Sequence, residues 1–271
     1  MKKYKLAVMG NPIAHSRSPI IHNFFAKAVE LEISYEKLLV PFGGFDETVR
    51  SFIRKGGYGF NVTLPCKRDA WSLADRLSSS AAEAEAVNTV LIDNNGFLTG
   101  ENTDGIGLIK DIEVNLAKTI PSKKILVLGA GGAVSGVMKS LVDRNPLGIS
   151  VYNRTREKSE KLAKKFSGRV EALDLDELAD DYDFLINGTS IGIASGQINL
   201  PKRILDKVEF CYDMVYDDGL TPFQRWCQEN SKCRAYNGIG MLVEQAAEAF
   251  AFWFGKRPET LPVIEKLRKE N

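Results

Sequence analysis

Lys67 and Asp104 are of the two residue types that together can deliver a proton to a developing alkoxide. Adding hydride to a ketone leaves an oxygen that needs a proton, and a lysine oriented by a carboxylate can act as that general acid. Lys67 ends the string NVTLPCK (61–67), at the end of a strand pattern, and Asp104 lies in NTDG (102–105), just before a helical pattern. Taken singly, Lys67 also reads as a surface lysine and Asp104 as a helix N-cap. His15 and His22, the only histidines, are not placed for this work. They make no zinc spacing with Cys66, Cys211, Cys227 and Cys233, so metal catalysis is not expected. A third polar string, NPIAHSRS (11–18), carries Ser16 and Ser18 into a helix start, where hydroxyls beside free N–H groups would seat a carboxylate. Ser18 before Pro19 equally suits an N-cap followed by a first-turn proline.

A second chemistry begins at Gly129. ILVLGAGGA (125–133) is an apolar strand running into glycines and then a helix. Glycines let the backbone approach a pyrophosphate, and the helix start offers free N–H groups to it. Val134 occupies the third fingerprint position, so the string alone also allows a plain tight turn. The end of the next strand decides between cofactors. NAD sites place a carboxylate there for the ribose 2′-hydroxyl. Here the chain has Asn153-Arg154-Thr155, with Arg156 and Lys158 just beyond. Such donors suit a 2′-phosphate, which a carboxylate would repel. Cations at a helix start are poorly placed unless an anion joins them. The expected cofactor is NADP.

These residues need elements to hold them. Strand patterns cover 5–9, 33–40 and 59–64, and helical patterns cover 18–29 and 45–54. Residues 87–92 and 96–99 predict a hairpin around Asn94-Asn95-Gly96. A helix over 105–117 would bridge two halves. Beyond it, strands at 124–128, 149–152, 184–186 and 210–214 alternate with helices, the pattern of a parallel sheet. The apolar helix 241–254 has no place in a dinucleotide domain that looks complete near residue 236, so it is expected to return to the first domain. The fold class is α/β with two domains: a discontinuous substrate domain with a mixed sheet (1–104 with 238–271) and a Rossmann-like NADP domain (105–237).

The bulk numbers fit this reading. The 271 residues are 44% hydrophobic and 26% charged, with a formal net charge of +1. Neither a nucleic-acid partner nor a membrane span is expected. The basic start Met1-Lys2-Lys3 is followed by no apolar stretch, so it does not read as a signal peptide. Four irregularly spaced cysteines read as free thiols in a reducing cytoplasm.

The strings GNPIAHSRSP, NVTLPCK, AVNT, NTDG, GAGGA, NRT, NGTS, DMVY with TP, and NGIGMLVEQAA occur in this order. On them, the chain resembles the shikimate dehydrogenase family over essentially its full length. The resemblance implies reversible NADPH-dependent reduction of 3-dehydroshikimate to shikimate, on the route to aromatic amino acids. It implies Lys67 and Asp104 as the catalytic pair. Ser16, Ser18, Thr63, Asn88, Tyr216 and Gln245 would hold the hydroxyls and carboxylate of the substrate. Gly129, Ala130, Gly131, Gly132 and Ala133 would cradle the pyrophosphate. Asn153, Arg154, Thr155 and Lys158 would surround the 2′-phosphate, and Met214 and Gly238 would line the nicotinamide pocket. Either a monomer or a homodimer is compatible with the family. A quinate/shikimate dehydrogenase with relaxed substrate and cofactor use is the alternative. Three departures stand out: Glu85 where the family usually has glycine, Val134-Ser135 after the glycines, and the acidic Asp217-Asp218-Gly219.

Overall fold

Apolar runs along the chain assemble into two separate sheets in a computed structural model, which describes residues 3–189, 191, 198–217 and 219–269. Two units result. One holds the chain up to Gly107 together with Leu242–Glu265, and the other holds Leu108–Met241 with the stretch from Lys266 on.

The first unit runs β1 (Tyr4–Gly10), α1 (Ser18–Ala28), β2 (Ile33–Leu39), α2 (Phe45–Arg54), β3 (Gly57–Val62), α3 (Lys67–Leu73), β4 (Arg76–Leu77), α4 (Ser79–Ala84), β5 (Thr89–Ile92) and β6 (Leu98–Glu101). The strand order is β2-β1-β3-β5-β6-β4. β5 is antiparallel to β3 and β6, and the other pairings are parallel, so the sheet is mixed. In β1, Leu6 to Met9 are all buried, as befits a strand covered on both faces. In α2, Phe45, Val49 and Phe52 fall on one face and are buried. The hairpin turn forms with Gly96 at φ 83°, while Asp93 Oδ1 accepts the N–H groups of Asn95 and Phe97. The strands flanking it lie about two residues later than the sequence pattern suggested.

The next helix starts in the first unit and ends in the second. α5 (Asp104–Lys110) runs into one π-type turn, Asp111–Asn115. Then follow β7 (Lys124–Leu128), α6 (Gly132–Asp143), β8 (Gly148–Tyr152), α7 (Arg156–Lys164), β9 (Val170–Leu173), β10 (Phe184–Asn187), a 3-10 turn at Lys202–Leu205, β11 (Phe210–Asp213), α8 (Pro222–Asn230) and β12 (Arg234–Asn237). These strands form an all-parallel sheet in the order β12-β11-β10-β7-β8-β9. Its core packs Ile125 and Val127 of β7 with Val137, Met138 and Leu141 of α6. Tyr212, fully buried in β11, donates to Asp111 Oδ2 at 2.6 Å and so ties the π turn to the sheet.

Two helices end the chain, α9 (Ile239–Phe254) and α10 (Leu261–Lys269). Within the first unit α9 buries Ala246, Ala249, Phe250 and Trp253. The Trp253 indole N–H donates to Val90 O at 2.9 Å. A Cβ on Gly59 would lie 2.6 Å from that indole nitrogen, so the close approach of sheet and helix requires glycine there.

Candidate active site

In the first unit, β1, β3 and β6 run the same way and β5 runs against them. The C-terminal ends of the three and the start of β5 therefore share one edge of the sheet. Ser16 and Ser18 follow β1, Thr63 and Lys67 follow β3, Asn88 precedes β5, and Asp104 follows β6. Residues distant in sequence thus meet because of strand direction, and crevices at such edges are where open α/β sheets bind ligands.

Lys67 and Asp104 are brought into direct contact. Lys67 Nζ lies 2.5 Å from Asp104 Oδ2, with side-chain exposures of 19% and 8%. Lys67 is therefore not a solvated surface lysine. It opens α3, and Val87 donates its N–H to Lys67 O at 2.9 Å, fixing the backbone from which the ammonium reaches. Asp104 opens α5, and its carboxylate is spent on the site instead of capping. Its other oxygen accepts from Asn88 Nδ2 at 2.8 Å, and its own N–H donates to Asn102 Oδ1 at 3.0 Å.

Asn88, 2% exposed, is the hub of this network. Its amide N–H₂ also donates to Thr103 Oγ1 at 3.0 Å and, at 3.3 Å, to Gln245 Oε1. Its carbonyl oxygen accepts from Thr103 N and Thr89 Oγ1. Gln245 comes from α9, where its Nε2 donates to Leu242 O. Fully satisfied buried polar networks rigidify what they hold. Asn102, Thr103, Thr89 and Asn61 were not singled out from sequence. The signal that could have found them is a run of short polar residues at the apolar strand ends, where a buried amide must find partners.

Thr63 and Ser16 are half-buried, and Ser18 is buried. The N-cap reading of Ser18 needs correction. Arg17 occupies the N-cap position of α1 with no side-chain cap, and Ser18 is already helical. Ser16 Oγ instead lies 3.3 Å from the Ser18 N–H, which it accepts. Tyr216 is partly buried and belongs to the second unit, whereas the other seven substrate positions belong to the first.

His22, beside these positions, is structural. It is fully buried on α1, stacked on Tyr35 with centroids 4.7 Å apart. Neither ring nitrogen has a hydrogen-bond partner among the described residues. Burial pushes its pKa down to about 3, with Asn61 pulling weakly upward. In the unfolded chain the imidazole titrates near 6.5, so the unfolded state binds the proton more tightly. Stability is then full above about pH 6.5 and is lost as pH falls toward 3. His22→Phe is expected to remove this loss, about 2 kcal/mol between roughly pH 7.5 and pH 5. Denaturant melts of both proteins at the two pH values measure it, and parallel pH dependence would refute the assignment.

In the second unit the sheet register carries the argument. Leu128, Tyr152, Asn187, Asp213 and Asn237 pair as one row across the C-terminal edge. The residues that follow them are Gly129, Asn153, Gly188, Met214 and Gly238. Four of these five are expected cofactor positions. Gly129 has φ 104°, and added Cβ atoms at Gly131 and Gly132 would meet nothing within 4 Å, which leaves an open glycine cradle. No side chain caps the start of α6, so its first N–H groups could take an anion. The cradle and helix start fit a pyrophosphate. Val134, the irregular fingerprint residue, is fully buried. Its Cγ2 would lie 2.3 Å from a Cβ at Gly188, so the absent side chain of Gly188 makes room for it. Gly238 likewise backs onto Met214, whose carbonyl oxygen is 2.4 Å from its would-be Cβ.

Asn153 joins the glycine turn to the next loop. Its Oδ1 accepts the Ala130 N–H at 3.1 Å and its Nδ2 donates to Thr155 O at 2.8 Å. Arg156 is taken up by Glu160, Asp174 and Glu177. Arg154, Thr155 and Lys158 are exposed, and neither cation has an ion-pair partner among the described residues. Asp213, buried, has its pKa pushed up to about 6 by desolvation, against donors Thr221 Oγ1, Val215 N and Asn187 Nδ2. The family departures resolve unevenly. Glu85 holds the left-handed conformation at φ 51° that glycine takes without strain. Asp218 lies outside the described residues, as does Ser190 of the NGTS string. No cluster able to hold a metal occurs among the described residues.

Three family models match separate stretches of the chain. The family model described as the shikimate dehydrogenase substrate binding domain matches residues 8–90. The one described as shikimate / quinate 5-dehydrogenase matches 112–195, and the shikimate 5′-dehydrogenase C-terminal domain matches 238–268. A shikimate dehydrogenase (NADP(+)) of Alkalilimnicola ehrlichii is 47% identical over 98% of this chain and 99% of its own. One from Laribacter hongkongensis is 47% identical over 97% of each. Among solved structures, an Ael1 enzyme from Pseudomonas putida superposes with a TM-score of 0.91 at 38% identity, covering 97% and 98% of the two chains. The shikimate 5-dehydrogenase of Thermus thermophilus, in complex with NADP(H) and shikimate, gives 0.88 at 32% identity over 99% and 100%.

Proposed function

This chain belongs to the shikimate dehydrogenase family, and from that premise we propose that it catalyses the reversible NADPH-dependent reduction of 3-dehydroshikimate to shikimate. The observation that carries the proposal is the contact of Lys67 Nζ with Asp104 Oδ2 at 2.5 Å, with Asn88 holding the second carboxylate oxygen. NADPH, when bound, supplies the hydride. Lys67 donates the proton to the oxygen of the reduced carbonyl and reclaims it in the reverse direction. Asp104 orients the ammonium and accepts a hydrogen bond from the reacting hydroxyl. Ser16, Ser18, Thr63, Asn88, Tyr216 and Gln245 supply hydroxyl and amide groups for the ring hydroxyls and carboxylate. The first unit serves as the substrate domain and the second as the NADP domain. Gly129 to Ala133 bind the pyrophosphate, and Asn153, Arg154, Thr155 and Lys158 serve the 2′-phosphate. Met214 and Gly238 bound the nicotinamide pocket.

No helix among the described residues is long and apolar enough to cross a membrane. The proposed setting is the cytoplasm, where a neutral small-molecule enzyme with free thiols would work as a monomer or homodimer. Mixing the protein with shikimate and NADP+ should raise the near-ultraviolet absorbance of reduced nicotinamide. Quinate in place of shikimate, and NAD+ in place of NADP+, should give far slower rates. Absence of turnover with shikimate and NADP+ would sink the proposal, and faster oxidation of quinate would reassign the substrate.

A further inference from the structure

Three of the four cysteines gather in the second unit, away from the row of strand ends that the reaction uses. Cys211 lies in β11 and Cys227 in α8, both fully buried in one apolar cluster. Cys233 lies just before β12, packs on the same cluster and is partly exposed. The sulfurs of Cys211 and Cys233 are 3.4 Å apart. A disulfide needs about 2.05 Å, so about 1.4 Å of approach closes the bond. From the geometry we propose that Cys233 is a hydroperoxide-reactive thiol and that Cys211 resolves it to an intrachain disulfide.

The two thiols have unequal environments. The Cys233 sulfur lies within S–H hydrogen-bond reach of Cys211, and the Cys233 backbone N–H donates to Ser231 Oγ at 3.1 Å. The contact with Cys211 pulls the Cys233 thiol down to about 6, with burial opposing. Cys211, hemmed in by Cys227, Cys233 and burial, is pushed far up. One thiolate is therefore available at neutral pH on the exposed side, and the other thiol stays protonated behind it. The Cys233 sulfur attacks one oxygen of hydrogen peroxide. An S–O bond forms, the O–O bond breaks, and hydroxide leaves, taking a proton to become water. The Cys211 sulfur then attacks the Cys233 sulfur. An S–S bond forms, the S–O bond breaks, and the hydroxyl leaves with the Cys211 proton as a second water. The two thiols lose two electrons, which the peroxide gains.

The test is a peptide map. The wild-type protein is treated with equimolar hydrogen peroxide, alkylated without reductant, digested and weighed. The expected product joins the Cys211 and Cys233 peptides, two hydrogens lighter than the reduced pair, and is reversed by dithiothreitol. In Cys211→Ser, dimedone should label Cys233 as a trapped sulfenic acid. In Cys233→Ser, the cross-link should vanish and peroxide consumption should fall about tenfold. Alkylation of Cys233 by iodoacetamide should rise through an inflection near pH 6, below the ordinary thiol range near 8.5. A cross-link through Cys227 or Cys66, or equal oxidation of all four thiols, would overturn the proposal. So would an unlinked wild type, a result that needs no variant to fold.

Discussion

Lys67→Ala is expected to lower turnover with shikimate by about 10²- to 10⁴-fold, while the Kd for NADPH stays within about twofold. The range is that of general acid–base help, about 3 to 5 kcal/mol of barrier. The ammonium is held 2.5 Å from a carboxylate that is itself 8% exposed, so no water-filled surface supplies an easy substitute donor. Removal should not scramble the site. Asp104 keeps Asn88 Nδ2 on its other oxygen, and its backbone N–H keeps Asn102. Lys67→Gln is one atom shorter and keeps a hydrogen-bond donor but cannot give up a proton at neutral pH, so it should be as slow as the alanine. Steady-state kinetics with fluorescence titration of NADPH separates the two quantities. Activity near wild type in either variant would take Lys67 out of the role.

Arg154→Ala should raise the Kd for NADPH by roughly 10- to 150-fold and leave that for NADH nearly unchanged. The size corresponds to one charge-assisted contact of about 1.5 to 3 kcal/mol. Arg154 is exposed and has no ion-pair partner among the described residues, while its neighbour Arg156 is committed to three carboxylates. Asn153 pins the backbone on either side of Arg154 through Ala130 N and Thr155 O, so the guanidinium starts from a fixed place. Calorimetric titration with both nucleotides decides the matter. An equal loss of affinity for each would mean that Arg154 does not read the 2′-phosphate.

Much of the second sheet was legible because central parallel strands are covered on both faces and read as unbroken apolar runs, as Ile125 to Leu128 does. Its edge strands were not. VEAL in β9 and RAYN in β12 are short and half-polar, and nothing local marks them as strands. The helices α3 and α4 escaped for a related reason. They are seven and six residues long, too short for a clear period. Within the site, the types of Lys67 and Asp104 announced chemistry, but the wiring did not. Asn88 works by reaching Thr103, Asp104 and Gln245, the last 157 positions away, and only the sheet edge and α9 bring them together. Ser18 shows the opposite error: the helix starts one residue earlier than the capping rule placed it, and the Ile20 and Ile21 N–H groups that a Ser18 cap would have served go to Arg17 O.

The return of α9 has a consequence for the order in which the molecule can be made. Trp253, whose indole closes against Gly59 and Val90, emerges from the ribosome only after the whole stretch from Leu108 to Met241. At ordinary rates of synthesis that interval is on the order of ten seconds. Throughout it, the sheet that carries Lys67 and Asn88 exists without its final wall and without Gln245, while the second unit already has all of its strands. The nascent chain thus exposes an unfinished apolar face on its oldest part, and the amide that completes the Asn88 network is among the last to arrive.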